Sequence, residues 1–417
     1  VVQRDLVLVA EVVRYKRERW LTPEGQTLIA PLPVGVTGGF GPGVRRLCLA
    51  LHTQGQVTTE RLTDLLNGIG LSISKRQVVR LLTSDLEPFA QEDRAVLQAG
   101  LTSSPYITVD DTGARHARRP GVTTQIGGER FCVFRTGRSK SRLNFLSLLR
   151  AGCEDYVVNE AALDYLRRQP VEAAVIARLT TLQGQVFGSD LEWLEQLARC
   201  SITIFDRPLL QTLNEAATWG ALRHHGLMAN TVVVSDDAGQ FRVAQHALCW
   251  IHAERHLQKL MPASPKQAKA VELVRKTIWC FYRGLKLWKL SPSPGAEASF
   301  RRQFNRIFGQ STGYKDLDAL LARLARRKGE LLRVLERPEI PLHTNASEND
   351  LRAWVIKRKI SGGTMSSDGR VARDVMLGLL KTCRKLGLSF FAYLGDRLGL
   401  HGDQPRIPPL AVLVTQA

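Results

Sequence analysis

Alternating apolar and polar positions open the chain. Leu6-Val7-Leu8-Val9 and Thr27-Leu28-Ile29 keep the short period of strands, so residues 1–31 are expected to form short strands. A Pro/Gly-rich linker follows, with Pro31, Pro33, Gly35, Gly38, Gly39, Gly41, Pro42 and Gly43. From Val44 the apolar spacing turns helical over 45–51, 58–66 and 74–82, with a turn at Gly68-Ile69-Gly70. Ser74 and Gln77 stand three apart, as in a capping box, so the third helix begins there. A short helix, a Gly turn and a second helix bearing Lys75, Arg76 and Arg80 resemble a helix-turn-helix; a plain helical hairpin is the alternative.

The middle of the chain changes period. Residues 106–110 read as a strand ending in acid at Asp110. Residues 123–126 and 130–136 read as a hairpin about Gly127-Gly128, and 156–159 as a further strand. Residues 160–225 are mostly helical by spacing, clearest over 171–182, 190–198 and 209–224, with a short β-branched run at 201–205. Thr231-Val232-Val233-Val234-Ser235 is the plainest buried strand, and it too ends in acid, at Asp236-Asp237. Helical spacing returns over 247–260 and fills 266–337. Past Pro341, Asn345 stands as a helix cap with Glu348 at the third position, and Leu351, Trp354 and Val355 form the apolar stripe of that helix. Residues 372–398 read as an amphipathic helical pair. The tail, 401–417, with Pro405, Pro408 and Pro409, is expected to be poorly ordered.

This alternation divides the chain into 1–43, a helical DNA-binding region 44–100, a first core part 101–260 with an insertion near 160–225, a helical insertion 261–340, C-terminal core helices 341–400 and the tail. The fold class is α/β: a mixed sheet with helical insertions, preceded by a small helical region.

Charge narrows the function. Lys and Arg number 58 against 39 Asp and Glu, a net +19 among 417 residues, with a pI near 10.0. Such an excess is the footprint of a nucleic-acid binder and argues against a glycoside hydrolase. No apolar run reaches a membrane-spanning length and the first residues lack a signal-peptide pattern. The chain starts at Val1, so a truncated N-terminus is expected. Seven Cys with no Cys-x-x-Cys pair argue against a disulfide framework or zinc ribbon and fit a reducing, cytoplasmic setting, nucleoid-associated for a DNA binder.

Against this basic background three acids stand out. Asp110 and Asp236 end strands and Glu348 opens a helix, places where a mixed sheet exposes chemistry. Together they have the makings of a site for two divalent cations, with carboxylate oxygens suited to Mg²⁺ or Mn²⁺. Asp111 and Asp237 compete for the same roles, and Glu348 also fits a purely capping role. Arg352, Lys357, Arg358 and Lys359 follow Glu348 as candidate DNA-binding residues. Cys249, His252 and His256 share a helix face and are a weaker candidate metal set; Trp250 is a core residue or a platform for a base.

Several of these segments are similar, in order, to motifs of the insertion sequence 66 family of transposases. They are Asp110-Asp111-Thr112, Ser235-Asp236-Asp237-Ala238-Gly239-Gln240-Phe241, Cys249-Trp250-Ile251-His252-Ala253-Glu254-Arg255, 344–352, and Leu379-Leu380-Lys381-Thr382-Cys383 with Phe391-Ala392-Tyr393-Leu394. The resemblance spans about residues 30–400. It implies a ribonuclease-H-like core and a DDE-type transposase that cleaves and joins DNA, with Asp110, Asp236 and Glu348 as catalytic and metal-binding acids and two Mg²⁺ or Mn²⁺ ions. It also implies double-stranded DNA ends and target as partners, a homo-oligomer and accessory proteins. The alternative is a non-catalytic DNA-binding protein derived from a decayed or domesticated transposase. A metal nuclease that stops at hydrolysis is a further rival. Two departures from the family stand in the chain: a longer interval between the first two acids, and no N-terminal Cys pairs.

Overall fold

A five-stranded mixed sheet organises the chain. The computed structural model describes every residue except 35, 37, 38, 401 and 417, so Gly35 and Gly38 of the linker and His401 and Ala417 of the tail lie outside the described residues. Strands β1 (Tyr106–His116), β2 (Arg119–Gly127), β3 (Cys132–Gly137), β4 (Val232–Ser235) and β5 (Gln245–Leu248) stand in the order β3-β2-β1-β4-β5. The first three are antiparallel, while β4 and β5 run parallel to β1. This is the ribonuclease-H-like arrangement expected from the sequence.

The β-branched run explains β4. Its side chains alternate between two cores: Val233 joins Phe134, Leu97 and Met376, whereas Val232 and Val234 join Trp250, Ile278 and Leu321. A strand buried on both faces reads as a continuous apolar run, and this one does. The N-terminal helices Pro42–Thr53, Thr59–Gly68 and Lys75–Thr83 are not a separate body. Cys48, Leu62 and Val78 share one apolar cluster with Val109 of β1 and Tyr393. Ser74 and Gln77 form the capping box expected of them. Of the two helical insertions, the first carries a core of its own and the second shares one with β4 and β5. Residues 156–224 gather around Tyr156, Trp193 and Leu213; residues 265–342 pack around Trp250, Phe281 and Phe304.

Three local expectations are corrected. Residues 6–9 form no strand; pairing begins only at Arg19–Leu21 with Thr27–Ile29, because the apolar side chains before it are exposed with no sheet to join. β1 does not end at Asp110 but runs on to His116, because its pairing with β2 continues after the parallel pairing with β4 stops at Thr108. The described part of the tail is docked. Arg397 donates to the carbonyls of Ile407 (2.8 Å) and Pro408 (2.9 Å), and helix Leu410–Thr415 buries Leu410 and Val414 in the main core.

Candidate active site

Asp110 and Asp236 come together at the point where the parallel pairing of β1 and β4 ends. Thr108 pairs with Val234, so the next residues of the same face, two further on, are Asp110 and Asp236. Asp110 accepts from the Asp111 amide (2.7 Å) and Asp236 from the Ala238 amide (3.0 Å). Their immediate neighbours are engaged elsewhere. Asp111, facing the other way, is bound by Lys140 and by Gln240 (2.8 Å); Asp237 is bound by Arg242 (2.8 Å) and Arg327 (3.3 Å). Among the described residues, neither Asp110 nor Asp236 makes an ion pair, which separates them from Asp111 and Asp237 as the chemically available acids. Burial lifts the Asp110 carboxyl to about 6; the Asp111 amide opposes the lift and the Asp236 charge adds to it. Two adjacent carboxylates with no cation of their own are a donor set that suits a hard divalent ion.

Glu348 approaches this pair from the helix Asn345–Ser361. That helix begins one residue earlier than expected, with Thr344 at its cap and no side-chain cap bond, so the Asn345–Glu348 capping box is not formed. Glu348 instead takes both arms of Arg255, at 2.9 and 3.3 Å, and lies 3.6 Å from His252. Arg255 and His252 belong to helix Trp250–Gln258, which leaves the end of β5. The Cys249 amide donates to the Ser235 carbonyl (2.9 Å), holding that helix start beside Asp236. Burial raises the Cys249 thiol, but hydrogen bonds with His252 and Thr344 outweigh it and bring it below its ordinary value; the same bond raises His252. Two bonds close the neck below: Thr344 donates to the Cys249 sulfur (3.4 Å) and Trp250 to the Leu342 carbonyl (3.0 Å). The oxygens of Asp110, Asp236 and Glu348 do not all lie within 4.8 Å of one another. The donor chemistry fits Mg²⁺ or Mn²⁺, with Glu348 diverted to Arg255.

Residues 226–372 match the family described as Transposase IS66 family, a span that holds Asp236, helix Trp250–Gln258 and Glu348. The chain is also 64% identical over 319 residues to an uncharacterized protein, y4jO, of Sinorhizobium fredii (strain NBRC 101917 / NGR234), covering 76% of this chain and 99% of that protein. The chain belongs to the IS66 transposase family. A transposase role follows from that membership, and among the described residues no helix is long and apolar enough to cross a membrane.

The other residues singled out by sequence fall into two sets in this IS66-family protein. Lys75, Arg76 and Arg80 are exposed on helix Lys75–Thr83, and Arg352 and Lys359 are exposed on the Glu348 helix. Arg358 is half-buried, 3.5 Å from the Thr112 hydroxyl on β1. Lys357 is a correction: it is 2% exposed and donates to the His52 carbonyl, so it does not face DNA. Its place three residues after Trp354 puts it on the apolar stripe. Gly362-Gly363, a pair whose sequence predicts a flexible turn, is pinned: Thr364 bridges to His116 and a Cβ on Gly363 would meet the Arg115 carbonyl at 2.4 Å. Trp250 is core, 2% exposed among Phe281, Phe304 and Phe308, and so is no platform for a base. Cys249, His252 and His256 do not come together as a ligand set. Sequence reading missed Arg255, Lys140 and Gln240. Only Arg255 carried a signal, lying one helical turn after His252.

Proposed function

We propose that this IS66-family protein is a DDE-type DNA transposase, with Asp110, Asp236 and Glu348 as its catalytic, metal-binding acids. The observation that carries this reading is the pair Asp110 and Asp236, side by side without an ion pair, in a chain of net charge +19. Mg²⁺ or Mn²⁺ ions held there would supply activation of a water or 3′-hydroxyl and stabilisation of the leaving oxygen of a phosphodiester. The residues of the chain supply the rest. Lys140 and Gln240 fix Asp111 and thereby the strand that carries Asp110. Arg352, Arg358 and Lys359 would steady the phosphates beside the scissile bond. Lys75, Arg76 and Arg80 would hold the duplex at a distance. Element ends and target DNA would be its partners, with a homo-oligomer and accessory proteins as the working assembly.

A second reading has one observation in its favour: Glu348 is taken by Arg255. On that reading the chain binds DNA without cutting it. The purified chain and its Asp236→Ala variant, with labelled element ends and Mg²⁺ or Mn²⁺, separate the two. Joined donor–target products from the unmodified chain alone support the transposase. Binding without any cleavage in both proteins supports the non-catalytic reading, and nicks that are never joined support a hydrolytic nuclease.

A further inference from the structure

We propose that Cys153, Asp155 and His225 form a site for a divalent cation of the Zn²⁺ class at the neck of the insertion 156–224. Their ligand atoms lie within 4.8 Å of one another, a grouping that no other set of three His, Cys, Asp or Glu side chains among the described residues attains. His225 Nε2 already stands 2.8 and 3.0 Å from the two Asp155 oxygens. Sulfur, nitrogen and oxygen together are the donors of a borderline ion, and three protein ligands leave a place for water.

The backbone explains why these three meet. After helix Arg142–Leu149 the chain turns through Ala151 and Gly152, both at positive φ. Cys153 donates its amide to the Arg150 carbonyl (3.1 Å), and Arg150 in turn holds the Asp155 carbonyl (2.9 Å). The turn thus presents residues 153 and 155 to a common side. The insertion departs immediately afterwards and returns through helix Arg207–His224, at whose C-terminal cap His225 sits. The site therefore joins the two ends of the insertion where it leaves and re-enters the sheet domain. A cation there would close a loop of about 70 residues, the kind of cross-link that removes most freedom from an unfolded segment.

An Asp–His pair alone would account for two of the three groups; Cys153 would then have no part in it. Burial and the Asp155 charge hold its thiol above the ordinary value, and a dication would reverse that and bind the thiolate. His225 and Asp155 retain solvent access, with side chains 33% and 15% exposed, so an ion can enter without unfolding.

The test uses the full chain stripped of metal. Zn²⁺ is titrated against a chromogenic chelator, and Co²⁺ is added separately to read the thiolate-to-cobalt charge-transfer absorption. The expected result is a clear charge-transfer band and one Zn²⁺ that remains bound in the Asp236→Ala chain. Cys153→Ser removes the band, His225→Ala weakens Zn²⁺ by about tenfold or more, and Cys249→Ser leaves both unchanged. Zn²⁺ also slows tryptic cleavage of the insertion in the unmodified chain but not in His225→Ala. The proposal is overturned by a chain that shows no band, or by a band that survives Cys153→Ser and vanishes in Cys249→Ser.

Discussion

Arg255 grips Glu348 with both arms of its guanidinium, one nitrogen 2.9 Å from Oε1 and the other 3.3 Å from Oε2. Any cation that Glu348 helps to hold must first compete with this pair. Arg255→Gln is therefore expected to lower the Mg²⁺ concentration for half-maximal DNA cleavage. The drop should be about 1.5–5-fold, because a partly exposed pair is worth about 0.2–1 kcal/mol. A higher Mg²⁺ requirement would show instead that Arg255 positions Glu348 in the working state.

Removing Asp110 or Asp236 tests the acids without disturbing the fold. Asp110→Asn and Asp236→Asn should each reduce cleavage by more than the roughly 10–100-fold that loss of a supporting partner costs a metal site. DNA affinity, measured by fluorescence anisotropy without divalent ions, should not fall. Asp237→Asn, which removes an ion-paired neighbour, should retain most of the cleavage.

Lys357 gives the chain a pH dependence of defined sign. Burial, with Arg373 adding to it, lowers its ammonium to about 7. Below that value the lysine is charged in both folded and unfolded chains, and the full penalty of burying the charge is present. Between about 7 and the ordinary lysine range the native state holds fewer protons than the unfolded chain, so stability rises with pH across that window. Lys357→Met should raise the melting temperature by a few degrees near pH 6, at about 1 °C per kcal/mol for a chain of this size. That gain should shrink as pH rises through about 10.4, above which the lysine is neutral in both states. A gain independent of pH in calorimetry would sink this account.

The exposed cations of helix Lys75–Thr83 should act through phosphate charge alone. Replacing Lys75, Arg76 and Arg80 by Ala should leave the melting temperature nearly unchanged. It should flatten the slope of log affinity against log salt by up to about 0.9 for each phosphate no longer neutralised. An unchanged slope would place DNA elsewhere on the surface.

Trp250→Ala should destabilise the chain by about 3–5 kcal/mol, the range for emptying a large aromatic site in a core. Its buried position among three Phe rings makes the loss one of packing. Denaturant titration reads the change. A stable variant with weakened binding to single-stranded DNA would contradict it.

Much of this architecture was legible because burial leaves a period. The triple Val of β4 announced a strand closed on both faces, and the Ser74–Gln77 spacing announced a helix start. The end of β1 was hidden, because Asp110 breaks the apolar run while the hydrogen-bond ladder to β2 runs on beneath it. Proline made the tail look loose, yet Leu410 and Val414, four apart on a helix, are its anchor. Lys357 shows the reverse: its charge suggested solvent, while its phase relative to Leu351 and Trp354 pointed inward. The partnership of Arg255 with Glu348 joins residues far apart in sequence, and no local pattern encodes it.

The neck formed by Cys249, Trp250, Leu342 and Thr344 has a consequence for how such chains can vary. Residues 265–342 leave and return through a doorway whose two posts are bonded to each other, and the bundle between them packs its core onto β4 and β5. The third acid stands one helical turn past the second post, its amide bonded to the Thr344 carbonyl. A shorter or longer bundle that kept the same posts and the same cover over β4 and β5 would leave Glu348 where it is, so the count of residues between the second and third acids is no measure of the distance between them.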